Sequence, residues 1–461
     1  MRIVQSILSA TVVAFSAVVG LQAAYAADVK EDYVRAPMPP GIQVVVSEIE
    51  GPVFADTQGR TIYMWRKRGL RNGSAGEDLG KPTCGDEVVR ESSGMQSPYP
   101  GGFILPEIET RPSCTQVWPP VYAADGAKPV GKWTVVKRLD GRMQLAYEGH
   151  PLYTSVLDKM PGDVYGGTGL PGASKAVRTP VGPESNVPGQ FSVHTTMAGR
   201  LVTLRDGASI YTWNGDGRNK SNCRDVCLNE WDPILAPSTA SSVGEWTTFE
   251  RALGVRQWAF RGRPVYQHPT DPKDGSRNGE DTPGWQNVYA QVSPAPPKGL
   301  GLKRTVIGDV LGDSQGMTIY KYNCGDDAVD QLTCDTPETP QAYRFAVCGG
   351  GDPDLCVKTF PYVLAPESAK TGNRVWGTMY IDPKTGKRAT AKAPSVLHVW
   401  TFRDRPIYTF AGHRGYGDSK PTDINAHSWG EGEGQHNGFL ALVYRDITQS
   451  RDGMIGRNNG R

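Results

Sequence analysis

Few residues of this chain are spaced as a catalyst needs them. A Gly-x-Ser-x-Gly elbow, a His-Glu-x-x-His pair and a phosphate-cradling glycine loop are all absent, so no local motif supplies a nucleophile, a catalytic zinc or a nucleotide site. Seven histidines are scattered, and only His427 and His436 lie near one another, in INAHSWGEGEGQHNG with Glu431 and Glu433. Those side chains could ligate a transition metal, but a glycine-rich segment lacks the second shell that makes a site, so it reads as a solvated loop. The stretch NGDGRN, Asn214 to Asn219, gathers oxygen donors in a turn but departs from the calcium-loop spacing and lacks its closing glutamate. No metal and no cofactor is expected.

The cysteines carry clearer chemistry. There are eight, an even number, and the spacing CxxxC at Cys223 and Cys227 is not that of a haem attachment or a zinc knuckle. The natural reading is a disulfide framework of an oxidising compartment. Cys223 pairs with Cys227 across a small loop; Cys114 holds the place of Cys227 in an upstream copy of the same text, which leaves Cys84 as its partner. In the last copy Cys356 holds that place with Cys348 nearest, and Cys324 and Cys334 are left to each other.

The copies organise everything else. Residues 201–271 form a unit that opens on Ile210, Tyr211, Trp213 and Asp216, passes Cys223, Cys227, Trp231 and Pro233, and closes on Trp246, Arg251, Gln257, Gly262, Pro264 and Tyr266. Upstream the same order appears as Tyr63, Trp65, Cys114, Trp118, Trp133, Arg138, Gln144, Gly149 and Tyr153; downstream as Tyr320, Tyr322, Asp326, Cys356, Phe360, Pro406, Tyr408 and Phe410. Self-similarity at a domain-sized period outranks any local signal.

This unit resembles the bacterial secreted-repeat family of predicted lipoproteins with a Tyr-x-(Phe/Trp/Tyr)-x-x-Asp motif, complete here at Tyr211, Trp213 and Asp216. The resemblance implies a second, similar box in the closing half of each unit, here Tyr266 with Asp271 and Tyr153 with Asp158. The first unit has Arg68 where the motif has aspartate, and the last has His413 after Tyr408 and Phe410. The family implies no settled biochemical role. The box residues are the binding candidates: Tyr63, Trp65, Tyr153, Asp158, Tyr211, Trp213, Asp216, Tyr266, Asp271, Tyr320, Tyr322, Asp326, Tyr408 and Phe410. The plainer alternative makes Asp216 a turn contact and the tyrosines core residues with a bonded hydroxyl.

The elements that must position these residues read as strands. IQVVVSEI, RTIYMW, KWTVVKRL, RMQLAYEG, SIYTW, RQWAFRG, MTIYKYN and LHVWTFR alternate or run in β-branched and aromatic residues between Gly, Asp and Pro turns. Helical periodicity is scarce, with one- or two-turn pieces expected at TQVW and CRDVCLNEW. Residues 159–190 and 292–303 are Pro/Gly-rich and read as connections, and 70–112 reads as an insertion within the first unit. The fold expected is mainly β: three tandem antiparallel β-rich units with short helical turns at the cysteine/Trp segments, stapled by disulfides, over 27–186, 187–296 and 297–461.

Residues 1–26 carry Arg2, a short apolar run and Ala24-Tyr25-Ala26, the pattern of a Sec-type signal peptide cleaved near Ala26. The run is short of the ~20 apolar residues a span needs. No cysteine follows the cut, so lipid attachment is not expected, and a soluble periplasmic or secreted product is. With 50 basic against 48 acidic residues there is no field to attract nucleic acid. These features point to a secreted non-enzymatic binding or scaffold protein taking an unknown small ligand or envelope component. The alternatives are an accessory to a periplasmic redox or degradative system, with a partner enzyme, and a hydrolase.

Overall fold

The computed structural model describes residues 32–70, 73–88, 112–167, 177–269, 278–305, 308–323, 332, 335–339, 341–412 and 438–445. Residues 1–31, Asp271, Cys324, Asp326, Cys334, His413 and the His427–His436 stretch lie outside them. From Asp32 on, the chain forms one compact unit. Among the described residues no helix is long and apolar enough to cross a membrane.

The architecture is mainly β, and each tyrosine strand lies inside an antiparallel sheet. Ile62–Trp65 sits between His150–Thr154 and Arg178–Pro180, with Met143–Tyr147 and Trp133–Lys137 continuing outward. Tyr211–Trp213 lies between Tyr266–Gln267 and Trp285–Asn287. Tyr320–Asn323 lies between Arg405–Tyr408 and Gly438–Ala441. In all three the two tyrosines face each other in register: Tyr63 with Tyr153, Tyr211 with Tyr266, Tyr320 with Tyr408.

Aromatic and β-branched residues on both faces are what a doubly covered strand requires. Alternation sends Tyr63 and Trp65 into one apolar layer with Trp118, Cys84 and Cys114, and Ile62 and Met64 into another with Phe54, Trp133 and Leu145. The second sheet repeats the division, Tyr211 going to the layer of Trp231 and Cys223, Ile210 to that of Trp246 and Trp258.

The hairpins that enter the tyrosine strands turn on two residues with positive φ, as a type I′ turn demands. These are Glu148-Gly149, Arg261-Gly262 and Arg403-Asp404, the third doing without glycine. Among the described residues three bridges are present, Cys84–Cys114, Cys223–Cys227 and Cys348–Cys356. Closing the first loop, 30 residues in separation, is worth roughly 3 to 4 kcal/mol through the unfolded chain.

Two expectations need correction. The segment 159–190 is not merely a connection: Arg178–Pro180 is a sheet strand, and Asp163 and Val164 are buried. Helix also occurs beyond the two segments where it is expected, again in short pieces. Cys114–Val117 and the 3-10 turn Asp225–Asn229 fall where expected, but the last third adds Ala342–Gly349 and Pro353–Thr359, the latter capped by Asp352. Elements of two turns are too short to display a 3.6-residue period, and the second begins on an Asp cap with Pro in its first turn.

Candidate functional site

The boxes meet in crossed pairs. The Tyr63 hydroxyl donates to Asp158 Oδ2 at 2.8 Å and accepts from the Gly166 amide at 3.2 Å, so the tyrosine of the opening box is held by the aspartate of the closing box. In the second sheet the relation runs the other way: the closing-box Tyr266 hydroxyl lies 2.8 Å from Asp216 Oδ2 of the opening box, and 2.8 Å from Ser221 Oγ. Tyr211 accepts from the Gly279 amide at 3.1 Å, as Tyr63 does from Gly166. Both glycines are forced: a Cβ on Gly166 would stand 2.9 Å from Trp118, and one on Gly279 2.8 Å from Trp231.

The first sheet completes the cross with a residue the spacing concealed. Tyr153 donates to Glu77 Oε1 at 2.8 Å, and Glu77 also takes the Thr83 amide and hydroxyl. Glu77 N bonds Trp65 O just as Asp216 N bonds Trp213 O. The two carboxylates therefore occupy one backbone position, displaced in sequence by the hairpin Arg68–Leu70 with Gly73–Ala75. The aspartate missing opposite Arg68 is thus replaced by a glutamate beyond an insertion.

Burial sets the electrostatics. Desolvation pushes Asp158 up to about 8, Tyr63 stays far above its ordinary value, and Glu77 and Asp216 are raised for the same reason. Tyr266 is pushed up to about 12. All six paired tyrosines are at most 2% exposed, so these groups trade hydrogen bonds with one another behind the sheet.

An arginine braces each of the first two sites, buried in the first and half-buried in the second. Arg138 donates to Gln144 Oε1 at 2.7 Å and to the Cys84 carbonyl, and Gln144 Nε2 donates to Leu152 O. Arg251 does the same with Gln257 at 2.9 Å and the Cys223 carbonyl, and Gln257 with Val265 O. Residues 134–169, which hold this bracing glutamine, Tyr153 and Asp158, match the family model described as a secreted repeat of unknown function. This stretch of the chain is similar to that secreted repeat. No curated protein and no solved structure matches it.

Outside the matched repeat, the third sheet builds its site differently. Strand register aligns Trp133–Tyr147, Trp246–Phe260 and Trp376–Phe402, which puts Ile381 and Val399 where the other two sheets have the arginine and glutamine. The guanidinium comes instead from Arg344 on the helix Ala342–Gly349, donating to Tyr362 Oη at 2.8 Å and to Cys356 Sγ at 3.5 Å beside Tyr408. Tyr322 and Phe410 pack on Phe439 and Phe360. Of the predicted box residues, Asp271 and Asp326 lie outside the described residues.

One further position recurs without being visible in the text. The strand opposite Trp65, Trp213 and Tyr322 presents Arg178, Trp285 and Phe439 respectively. Arg178 lies over Trp118 at 5.3 Å, Trp285 stacks on Trp231 at 3.6 Å and Phe439 on Phe360 at 3.7 Å. A guanidinium and two rings serve the same flat contact, which residue-type matching cannot detect.

As for metals, Asp216 Oδ1 takes the Asn222 amide and Asn214 Oδ1 takes Arg263, so the side chains of NGDGRN are engaged within the fold. Among the described residues no three His, Cys, Asp or Glu side chains converge as metal ligands.

Proposed function

We propose that the chain is a secreted, non-enzymatic binding or scaffold protein of the bacterial periplasm or envelope, exported through residues 1–26 and built as three tandem units over 27–186, 187–296 and 297–461. The observation that carries this reading is the closure of the boxes. A catalytic group must offer a polar atom to a site where a reacting atom fits. Here the hydroxyls of Tyr63, Tyr153 and Tyr266 and the carboxylates of Asp158, Glu77 and Asp216 are bonded to one another and to backbone amides. Recognition then falls to the outer surface. Tyr122, Leu235 and Leu364 bridge to Gln144, Gln257 and Val399 at matching positions and are exposed by 42%, 49% and 61%, an apolar contact presented once per sheet.

A thermal-shift screen of glycans, aromatic compounds and metal ions tests this, because a ligand preferring the folded state raises its melting temperature. A ligand found in this way should lose its effect in the Tyr122→Ser/Leu235→Ser/Leu364→Ser variant. Asp216→Ala should lower the melting temperature of the full chain and leave the ligand shift in place. The opposite pattern, unchanged stability with binding abolished by Asp216→Ala, would make the box a ligand site.

A second reading, an accessory of a periplasmic redox system, is favoured by one arrangement. Trp213, half-buried, lies parallel to Trp285, which stacks on Trp231 beside Cys223. Such a ladder can pass an electron hole inward, and transient absorption after flash oxidation at the surface would reveal it.

A further inference from the structure

We propose that the Cys223–Cys227 bridge is a thiol–disulfide exchange site, open to a dithiol protein or small dithiol, while the two other described bridges are closed to solvent. This goes beyond the function proposed above and does not depend on it. Cys84, Cys114, Cys348 and Cys356 are all buried, at 7% exposure or less. Cys223 is also fully buried, but its partner Cys227 is half-buried on the 3-10 turn Asp225–Asn229, no residue of which is buried. Exchange requires an incoming thiolate to reach one sulfur along the S–S axis, so access selects both the bridge and the atom attacked.

The surroundings fit such an encounter. Val226 and Leu228, exposed by 75% and 39%, flank Cys227 and give an apolar rim on which a partner can seat. Asp225 holds φ of +43°, the left-handed conformation an aspartate tolerates better than most residues, within the ring the bridge closes. On the inner side Arg251 donates to the Cys223 carbonyl, which places a cation at the residue whose sulfur must leave.

The step balances as follows. A thiolate of the dithiol attacks Cys227 Sγ, a mixed disulfide forms, the Cys223–Cys227 bond breaks, and Cys223 Sγ departs with the electron pair and takes a proton. The second thiolate of the reductant then attacks its own sulfur in the mixed disulfide, releasing Cys227 as a thiolate that is protonated in turn. Two electrons and two protons pass from the dithiol, which becomes a disulfide, to the protein. Reduction frees the loop Arg224 to Val226 from its covalent tie.

The test uses the full oxidised chain under native conditions. Dithiothreitol is titrated in, free thiols are trapped with N-ethylmaleimide, and peptides are mapped by mass. Cys223 and Cys227 should be labelled at least about tenfold faster than the other described pairs. In a second arm, glutathione, a monothiol, should be found on Cys227 with maleimide on Cys223. Equal or faster labelling of Cys84/Cys114 or Cys348/Cys356 overturns the proposal, as does glutathione on Cys223. Labelling of Cys223 and Cys227 only in step with loss of the near-ultraviolet circular dichroism signal also overturns it, since the bridge would then open by unfolding.

Discussion

The first two sheets and the third pair their tyrosines in the same register and brace them with a guanidinium brought from different places. In the first two, Arg138 and Arg251 reach in from the hairpin strand and are fixed by a buried glutamine. In the third, the strand positions are apolar and Arg344 reaches in from a helix. The flat group stacked on Trp118, Trp231 or Phe360 is likewise an arginine, a tryptophan or a phenylalanine. A reaction centre fixes the identity and origin of its groups, because the transition state reads individual atoms. A packing device asks only for shape, burial and a satisfied hydroxyl. The variation among these sheets is of the second kind, and that supports counting the box as structure.

The comparison breaks most readily at its arginines. Arg344→Ala should be the most damaging of these changes, costing about 3 to 5 kcal/mol in urea unfolding, because it leaves a large cavity and takes the donor from the Tyr362 hydroxyl. Arg138→Ile should cost about 1 to 3 kcal/mol, since Gln144 Oε1 and the Cys84 carbonyl lose their donor. Adding Gln144→Val rebuilds in the first sheet the Ile381–Val399 pair of the third. The double variant should then be more stable than the sum of the single changes by about 1 kcal/mol or more. Strict additivity would mean that arginine and glutamine do not act as one unit, and the equivalence drawn between the sheets would fail.

The two regions should also separate by pH. Burial raises Asp158 of the first sheet to about 8 from an unfolded value near 3.9. The folded state therefore holds a proton that the unfolded chain releases, and the stability this gives is complete at low pH and lost as pH rises through about 8. Glu77 and Asp163 are raised by burial and add in the same direction. In the third sheet Lys321, buried beside Asp335 and Arg405, is held below its ordinary value by burial first, then by the neighbouring arginines. Its neutral form is the one the fold prefers, so its contribution is present above about 10.5 and lost as pH falls through the depressed value. Unfolding free energy followed from pH 4 to 8 should decline by a few kcal/mol, and Asp158→Asn should flatten that limb while Lys321→Met leaves it alone. A flat profile in the wild type would show that Asp158 titrates as an exposed carboxylate does.

Much of this was legible in the text, and what was not has identifiable physical causes. The strands follow from aromatic and β-branched runs between turn residues, and short helical turns fall at TQVW and CRDVCLNEW as expected. Glu77 was hidden because an inserted hairpin changes sequence distance without changing where the backbone returns, as the shared bond to Trp65 O and Trp213 O shows. Arg178 was hidden because stacking selects a flat surface, which a guanidinium supplies as well as a ring. Arg344 was hidden because the third site draws its cation from a helix outside the aligned strands.

The finest contrast lies in the turns that enter the tyrosine strands, and it should give the smallest effects. Asp404 holds φ of +58° where the first turn has Gly149 at +84°. Asp404→Gly should relieve up to about 1 kcal/mol of backbone cost. It also removes the Asp404–Arg388 ion pair, whose side chains are 35% and 38% exposed and whose loss costs about 0 to 1 kcal/mol in water. The two offset, so the melting temperature should stay nearly unchanged. Gly149→Asp carries the backbone cost with no ion pair designed to meet it. A Cβ there approaches nothing closer than Leu79 at 3.5 Å, so the loss should be about 1 kcal/mol from conformation alone. If instead Asp404→Gly destabilised the chain by more than about 2 kcal/mol, the exposed-pair ceiling would be exceeded. Asp404 would then have to be counted with Arg405 and Asp335 as part of the buried charge network that distinguishes the third sheet from the other two.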